Sequence, residues 1–307
     1  YSPLSFASTY YINIDVTASS VSGGNLYSSF QSVFSTFVQP STISETEDNN
    51  STANANIIYD SAYIWGKAVN GNDLEVFKFT TSPTTKGVLI YFYNGYSGSN
   101  SDYDILLLDS AGNEQTRFSA NDGNSNQLTT GVKPSTVYYI YIDPGYNVSN
   151  YDYDLRVSFL ECDLYEIENN GNSDKANVLR SGDEYKGLAI HWNDLEFYKF
   201  TTSPSTNSII IDFKNLKIST DADYHVGLLS SDGIEQTGFE SNNGTSKSLI
   251  TGVKPSSIYY IYIDPADYVS SFLYSIMITF QDSDLFEIEH NGNSDKANVL
   301  RSGDEYK

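Results

Sequence analysis

Residues 138–144 read YYIYIDP, and the same seven residues return at 259–265, 121 positions later. Aromatic and β-branched residues are the ones that β-strands favour. Pro144 and Pro265 close the two runs, as expected where a strand ends. The run therefore predicts a β-strand that the chain makes twice.

The rest of the chain follows the same period. The DLE of residues 73–75 returns at 194–196, the KFTTSP of 78–83 at 199–204, and the GVKPS of 131–135 at 252–256. Every offset is 121, so no net insertion separates the copies. A repeat of this length can bury its own core, which predicts independent domains joined like beads rather than a solenoid.

A third copy begins near the end of the chain. Residues 163–186 and 284–307 are identical at 22 of 24 positions. We predict complete repeats at 43–163 and 164–284, the opening segment of a third repeat at 285–307, and the closing strands of a preceding, diverged repeat at 1–42. The chain is then expected to be a window on a longer repetitive polypeptide; the alternative is two domains with frayed ends.

Short alternating runs between Gly, Asn, Ser and Asp turns recur within each repeat. In the first repeat they predict strands at residues 75–80, 88–93, 104–109, 137–143 and 152–159. Short strands at this spacing without a long helical period indicate an all-β chain of tandem β-sandwiches.

Composition excludes several classes of protein. A net charge of −22 argues against nucleic acid and against an anionic membrane surface as partners. The single cysteine, Cys162, excludes an internal disulfide and a cysteine-based zinc site. No apolar run has the length of a transmembrane segment. No leader opens the chain, so any signal peptide is expected to have been removed or left out.

Three spaced motifs together resemble a known family. Residues 193–200 (NDLEFYKF), 223–229 (DYHVGLL) and 257–263 (SIYYIYI) are similar to the bacterial pre-peptidase C-terminal (PPC) domain, as are 102–109 and 136–142 of the first repeat. That family includes the collagen-binding domains of clostridial collagenases. The resemblance implies a jelly-roll-like sandwich that is not itself catalytic, carried by secreted prokaryotic proteins.

The resemblance also implies calcium. Two linker Glu residues and an Asn would join two residues before the next core strand: Glu45, Glu47, Asn49, Asn72 and Glu75 in the first repeat, and Glu166, Glu168, Asn170, Asn193 and Glu196 in the second. Ca²⁺ takes 6–8 oxygen ligands, and Glu-x-Glu places two carboxylates on one side of an extended segment. Asn72 and Asn193 replace an acidic ligand of the family, and the alternative is that these Glu residues only solvate a linker.

No catalytic motif is present. The chain lacks a Gly-x-Ser-x-Gly elbow, a His-Glu-x-x-His helix and a phosphate-binding loop. His225 aligns with Asp104 and His191 with Asn70, so neither histidine is shared by the two copies. We expect both to be surface residues, and the protein not to be an enzyme.

One outward stripe could bind a ligand. Tyr91, Tyr93 and Tyr96 surround Phe92 in the first repeat and could stack on sugar or peptide. Their equivalents in the second repeat are Asp212, Lys214 and Lys217. This favours a shared fold with variable outer faces; an interface between neighbouring domains is the competing use.

The sequons at Asn49, Asn50, Asn147 and Asn243 permit N-glycosylation, which at Asn49 would conflict with calcium binding. The leading hypothesis is a non-catalytic, extracellular or cell-surface structural or adhesive repeat protein of a filament, stalk, sheath or long adhesin. It would self-associate through neighbouring repeats. The alternative is a set of accessory domains that hold a secreted hydrolase on an extracellular polymer such as collagen or polysaccharide.

Overall fold

The computed structural model describes residues 9–14, 17, 29–35, 42–95, 101–146, 148, 151–189, 193–216, 223–265, 272–282, 285–295, 297–303 and 305–306. Within these residues the regular elements are all β-strands, which confirms the all-β class. None of the described residues forms a helix with the length and hydropathy to span a membrane. Tyr96, Asn147, His191 and Lys217 lie outside the described residues.

The first strands form a separate antiparallel pair, β1 (Thr9–Ile14) with β2 (Phe30–Ser35). The next ten form the first sandwich. They are β3 (Thr42–Ser44), β4 (Asn56–Ile57), β5 (Tyr63–Ala68), β6 (Glu75–Thr80), β7 (Gly87–Asn94), β8 (Tyr103–Leu108), β9 (Glu114–Ala120), β10 (Asn126–Gly131), β11 (Val137–Pro144) and β12 (Tyr151–Leu160). They make one sheet in the order β10-β7-β12-β5-β3 and another in the order β4-β6-β11-β8-β9.

The second sandwich repeats this plan. Its strands are β13 (Leu164–Tyr165), β14 (Asn177–Val178), β15 (Glu184–Ala189), β16 (Glu196–Thr201), β17 (Ser208–Asn215), β18 (Tyr224–Ser230), β19 (Glu235–Ser241), β20 (Lys247–Gly252), β21 (Ile258–Pro265) and β22 (Phe272–Gln281). The sheet orders are β20-β17-β22-β15-β13 and β14-β16-β21-β18-β19. Both copies thus have the same jelly-roll-like arrangement, and the predicted tandem sandwich is correct.

Alternation along the strands creates one core inside each sandwich. In β8 the buried side chains of Tyr103, Ile105 and Leu107 alternate with more exposed ones. The first core combines side chains from both of its sheets, and the second core is a separate cluster at largely equivalent positions. Each repeat therefore has its own apolar interior, which is the condition for independent stability.

Three aromatic rings form the centre of each core. The Phe92 ring lies 4.9 Å from Tyr103 and 5.4 Å from Tyr153, between centroids. In the second copy the corresponding Phe213 distances are 5.2 Å to Tyr224 and 5.5 Å to Tyr274. Rings at these separations add to the free energy gained by burying apolar area.

We expect the two faces of β7 to respond very differently to truncation. Phe92→Ala removes a fully buried ring and should lower the free energy of unfolding of the first sandwich by about 3–5 kcal/mol. Tyr93→Ala, on the solvent face and 46 % exposed, should change it by no more than about 0.5 kcal/mol. Urea denaturation followed by Trp65 fluorescence in a Trp192→Phe background measures both. Equal losses for the two variants would contradict the assignment of the faces.

Candidate metal centre

A linker enters each sandwich beside an edge strand. β3 pairs parallel to β5, and the chain stays extended beyond it because the Glu45 amide donates to the Trp65 carbonyl at 3.0 Å. In the second copy the Glu166 amide donates to the Lys186 carbonyl at 2.9 Å. The first Glu of each Glu-x-Glu pair is thereby fixed at the edge of the sheet.

Backbone and tyrosine donors then orient this first Glu. The Glu45 carboxylate accepts from the Lys67 amide and, at 2.5 Å, from the Tyr153 hydroxyl. Glu166 accepts from the Leu188 amide and, at 2.6 Å, from the Tyr274 hydroxyl.

The second copy has one additional donor, the Tyr198 hydroxyl, which lies 2.9 Å from Glu166. Phe77 occupies the equivalent position of the first copy and has no hydroxyl to donate.

A glycine permits this approach of the linker to the sheet. Gly66, on β5, faces the Tyr153 hydroxyl and the Glu45 carboxylate so closely that an added Cβ would overlap both. Gly187 stands in the same relation to Tyr274 and Glu166. A side chain at either glycine would displace the linker Glu, so the close approach requires glycine.

Three carboxylates converge at each entry point. Glu45, Glu47 and Glu75, the first carboxylate cluster, each place an oxygen within 4.8 Å of the others. The same holds for the second carboxylate cluster, which consists of Glu166, Glu168 and Glu196. The sequence predicted both sets of three, and the fold brings the members of each set together.

Both clusters contain polar atoms that lack partners. Glu75 and Glu196 are fully buried, and neither oxygen of either carboxylate has a hydrogen-bond donor among the described residues. Asn49 is also fully buried with both side-chain polar atoms unsatisfied, and Asn170 is buried with its Nδ2 unsatisfied. Such groups cost free energy unless a ligand or solvent satisfies them.

Burial and mutual repulsion disfavour the charged forms. Burial, followed by the negative charge of Glu45, raises the pKa of Glu75 to about 9. Burial, followed by the charges of Glu166 and Glu168, raises the pKa of Glu196 well above its usual range. A cation placed among these oxygens would reverse that preference, because an opposite charge stabilises the ionised form.

Two predicted ligands do not lie inside the clusters. Asn72 and Asn193 are exposed in the turn before the core strand, and the Asn72 amide donates to the Asn70 side chain at 2.9 Å. Their assignment as ligands stays a prediction.

Their neighbours Asp73 and Asp194 are the acidic groups that act on the clusters. Asp73 raises the pKa of Glu47, after the larger effect of burial, and Asp194 raises those of Glu168 and Glu196 in the same way. Both belong to the repeated DLE motif, which could have indicated them.

Among the sequons, Asn49 is fully buried, so a glycan there would require the linker to detach. Asn50 and Asn243 are exposed, and their glycosylation stays a prediction.

Several solved structures are similar to this chain. The PPC domain of collagenase from Bacillus anthracis matches at 25 % identity over 34 % of this chain and 94 % of that one, with a TM-score of 0.29. The chain resembles a PPC domain, as its motifs predicted. No protein-family model and no curated protein matches the chain.

Two tandem modules are also similar in structure. The CBM22-1-CBM22-2 tandem domain of Paenibacillus barcinonensis Xyn10C matches at 11 % identity, covering 71 % of this chain and 93 % of that one, with a TM-score of 0.23. The tandem CBM51 modules of a family 98 glycoside hydrolase from Streptococcus pneumoniae match at 8 % identity, covering 70 % and 83 %, with a TM-score of 0.25.

A separate titratable group lies on the outer face of the second sandwich. His225 Nδ1 is 2.6 Å from Glu240 and its Nε2 is 3.1 Å from Glu235, while Tyr262 and Asp264 of β21 lie beside it. Burial disfavours the imidazolium, but the hydrogen bonds and charges of Glu240 and Glu235 outweigh burial and raise the pKa of His225. Both ring nitrogens are hydrogen-bonded to these carboxylates, as expected of a structural surface residue.

This raised pKa predicts a pH-dependent stability. Protonated His225 stabilises the folded state fully below the ordinary histidine pKa of 6.5, and the contribution disappears as the pH rises through the higher folded-state value. The melting temperature of the second sandwich should therefore fall over that window, and His225→Gln should remove this part of the slope. Calorimetric scans of both proteins across the window test it; parallel slopes would contradict the ion pairs.

Proposed function

We propose that this chain is a non-catalytic structural repeat of an extracellular filament or adhesin, whose junctions are stiffened by calcium. The observation that carries the proposal is the dual position of Glu166. Its carboxylate belongs to the second cluster, while its backbone carbonyl accepts a hydrogen bond from the Gly131 amide of the first sandwich at 2.6 Å. An ion held by this side chain would immobilise the residue that joins the two domains.

The donor set suits calcium. Each cluster offers three carboxylates and a buried Asn, all hard oxygen ligands of the kind that Ca²⁺ prefers, with water able to complete 6–8 positions. The unsatisfied oxygens of Glu75 and Glu196 support an occupant with positive charge. A Kd of about 0.1–1 mM, as in extracellular modules, would suffice outside the cell.

The junction contact recurs along the chain. The Gly252 amide of the second sandwich donates to the Glu287 carbonyl at 3.0 Å, as Gly131 donates to Glu166. A side chain at either glycine would overlap linker backbone, including the carbonyls of Tyr165 and Phe286. One head-to-tail contact used repeatedly generates an extended array when its rotation does not close into a ring, and the proposed filament requires the open arrangement.

A second candidate function is that of a polymer-binding accessory module. It is favoured by exposed aromatic side chains on β5 and β7 of the first sandwich, among them Trp65 and Tyr93, which the second sandwich replaces with Lys186 and Lys214. The two functions are compatible, because the carboxylate clusters and the exposed aromatic side chains belong to different residues.

Calcium should stabilise both sandwiches, and its removal should lower their melting temperatures. At a calcium concentration of about 100 times Kd the gain is about 2.7 kcal/mol. This corresponds to a shift on the order of 10 °C for a domain of this size. Differential scanning calorimetry in calcium and in excess EGTA at matched ionic strength measures it.

Glu196→Gln should shift the melting temperature in opposite directions in calcium and in EGTA. In calcium the variant should melt below the parent protein because a ligand charge is lost. In EGTA it should melt above the parent because glutamine does not carry the cost of protonating a buried carboxyl on folding, which the raised pKa of Glu196 imposes near neutral pH. Glu161→Gln, at an exposed position outside both clusters, is the matched control and should match the parent in both buffers. Melting temperatures that are the same in calcium and in EGTA for all three proteins would reject the metal sites.

Gly131→Val should loosen the junction while leaving the first core intact. Valine suits the end of strand β10, but its side chain would overlap the carbonyls of Tyr165 and Glu166 and displace the linker. Small-angle X-ray scattering in calcium should show a more flexible particle, and proteolysis near residue 163 should accelerate. Gln127→Val, at an exposed position of the same strand, controls for the added β-branched side chain. Scattering identical to the parent protein would rule out this contact as the source of rigidity.

A further inference from the structure

The solvent face of one sheet of the first sandwich carries four aromatic side chains. Tyr63 and Trp65 on β5 are 37 % and 57 % exposed, Tyr93 on β7 is 46 % exposed, and Tyr91 is half-buried. Large aromatic side chains gathered on an exposed face usually mark a binding surface. We call these four residues, together with Asp154 and Arg156, the aromatic face.

Strand register defines the layout of the aromatic face. On the central strand β12, Asp154 pairs with Trp65 on one side and Tyr93 on the other. Two residues further, Arg156 pairs with Tyr63 and Tyr91. Since neighbouring strands are about 4.8 Å apart, the rings form two columns about 10 Å apart, with one acid and one base between them.

The fold itself does not require these aromatic residues. In the second sandwich the four positions are occupied by charged residues: Glu184, Lys186, Asp212 and Lys214. There, Lys214 pairs with Glu184 at 2.8 Å and Lys186 with Asp163 at 2.7 Å. The same sheet position is therefore a solvated, ion-paired surface in one copy and an aromatic surface in the other.

The central pair of the aromatic face has no ionic partner within the sandwich. Among the described residues neither Asp154 nor Arg156 forms an ion pair; Arg156 is exposed, whereas Asp154 is half-buried and its Oδ1, which has no hydrogen-bond donor, is shielded from solvent. Burial, followed by the charge of Asp152, raises the pKa of Asp154. The strand thus offers one acceptor and one donor, each with an aromatic ring on both sides.

We propose that the aromatic face binds a neutral polysaccharide. Sugar rings have apolar faces that stack on Tyr and Trp, and their hydroxyls can both donate to Asp154 and accept from Arg156. A polyanion would satisfy Arg156 alone and would be repelled by a chain of net charge −22, while a polycation would satisfy Asp154 alone. This site is independent of the calcium-dependent role and gives the second candidate function a defined place.

Affinity electrophoresis of the whole chain tests the proposal. Native gels contain hydroxyethylcellulose, mixed-linkage β-glucan, xylan or galactomannan, with polygalacturonate as the anionic comparison. At least one neutral polysaccharide should retard the parent protein. Trp65→Ala combined with Tyr93→Ala should weaken that binding by at least about tenfold, since Trp and Tyr are typical binding hot spots.

The second sandwich supplies the matched control. Lys186→Ala combined with Lys214→Ala, at the equivalent positions, should leave retardation unchanged, and calorimetry verifies that all variants remain folded. Gels run in calcium and in EGTA distinguish this site from the carboxylate clusters. Loss of retardation in EGTA alone would show that binding depends on the junction.

Four results would overturn the proposal: no retardation by any neutral polysaccharide, stronger retardation by polygalacturonate, binding that survives loss of both rings, or self-association in ultracentrifugation that the same substitutions abolish. The last result would assign the face to a second copy of the chain.

Discussion

The meeting of three carboxylates at the entry of each sandwich is the constraint on which the arrangement of the repeats depends. Two of the three come from the linker and one from the first residue of a core strand, so the cluster links the entering segment to that strand, in addition to backbone contacts such as the Val76 amide with the Asn49 carbonyl. Buried like charges cannot remain ionised together without compensation. The geometry is therefore costly without compensation, and the proposed divalent cation would offset that cost and make the position of the linker dependent on its ionic surroundings.

Glu166 connects the second carboxylate cluster to the junction between the two sandwiches. The residue is held by Tyr274 and Tyr198 from its own sandwich and by Gly131 from the preceding one. A single residue thus takes part in the second carboxylate cluster, the edge of the sheet and the domain junction. Because the Gly252–Glu287 contact has the same form, the coupling is a property of the repeat and not of one place in the chain.

The sequence predicted the strands whose hydrophobic periodicity is strong and missed those whose formation depends on contacts with other segments. Strands β6, β7, β8, β11 and β12 were predicted to within one or two residues, since buried apolar side chains alternate along them. β5 was missed because Gly66 and Lys67 interrupt the pattern, and the close approach of Tyr153 and the linker Glu45 explains the glycine. Likewise, the three Glu positions of each cluster were predicted through the family resemblance, whereas the action of Asp73 and Asp194 depends on turn geometry that spacing alone does not specify.

Comparison of the two copies separates what the fold requires from what each repeat adds. Phe92 and Phe213 occupy equivalent core positions with the same ring neighbours, so the centre of the core is the same in both copies. On the opposite side of the same strands, Tyr93 is replaced by Lys214, and an ion pair takes the place of an aromatic surface. A substitution at a surface position of a sheet changes the free energy of unfolding little, whereas truncation of a core side chain lowers it by several kcal/mol. A tandem array of this kind can therefore keep one junction and one core in every copy while giving each outer face its own partner.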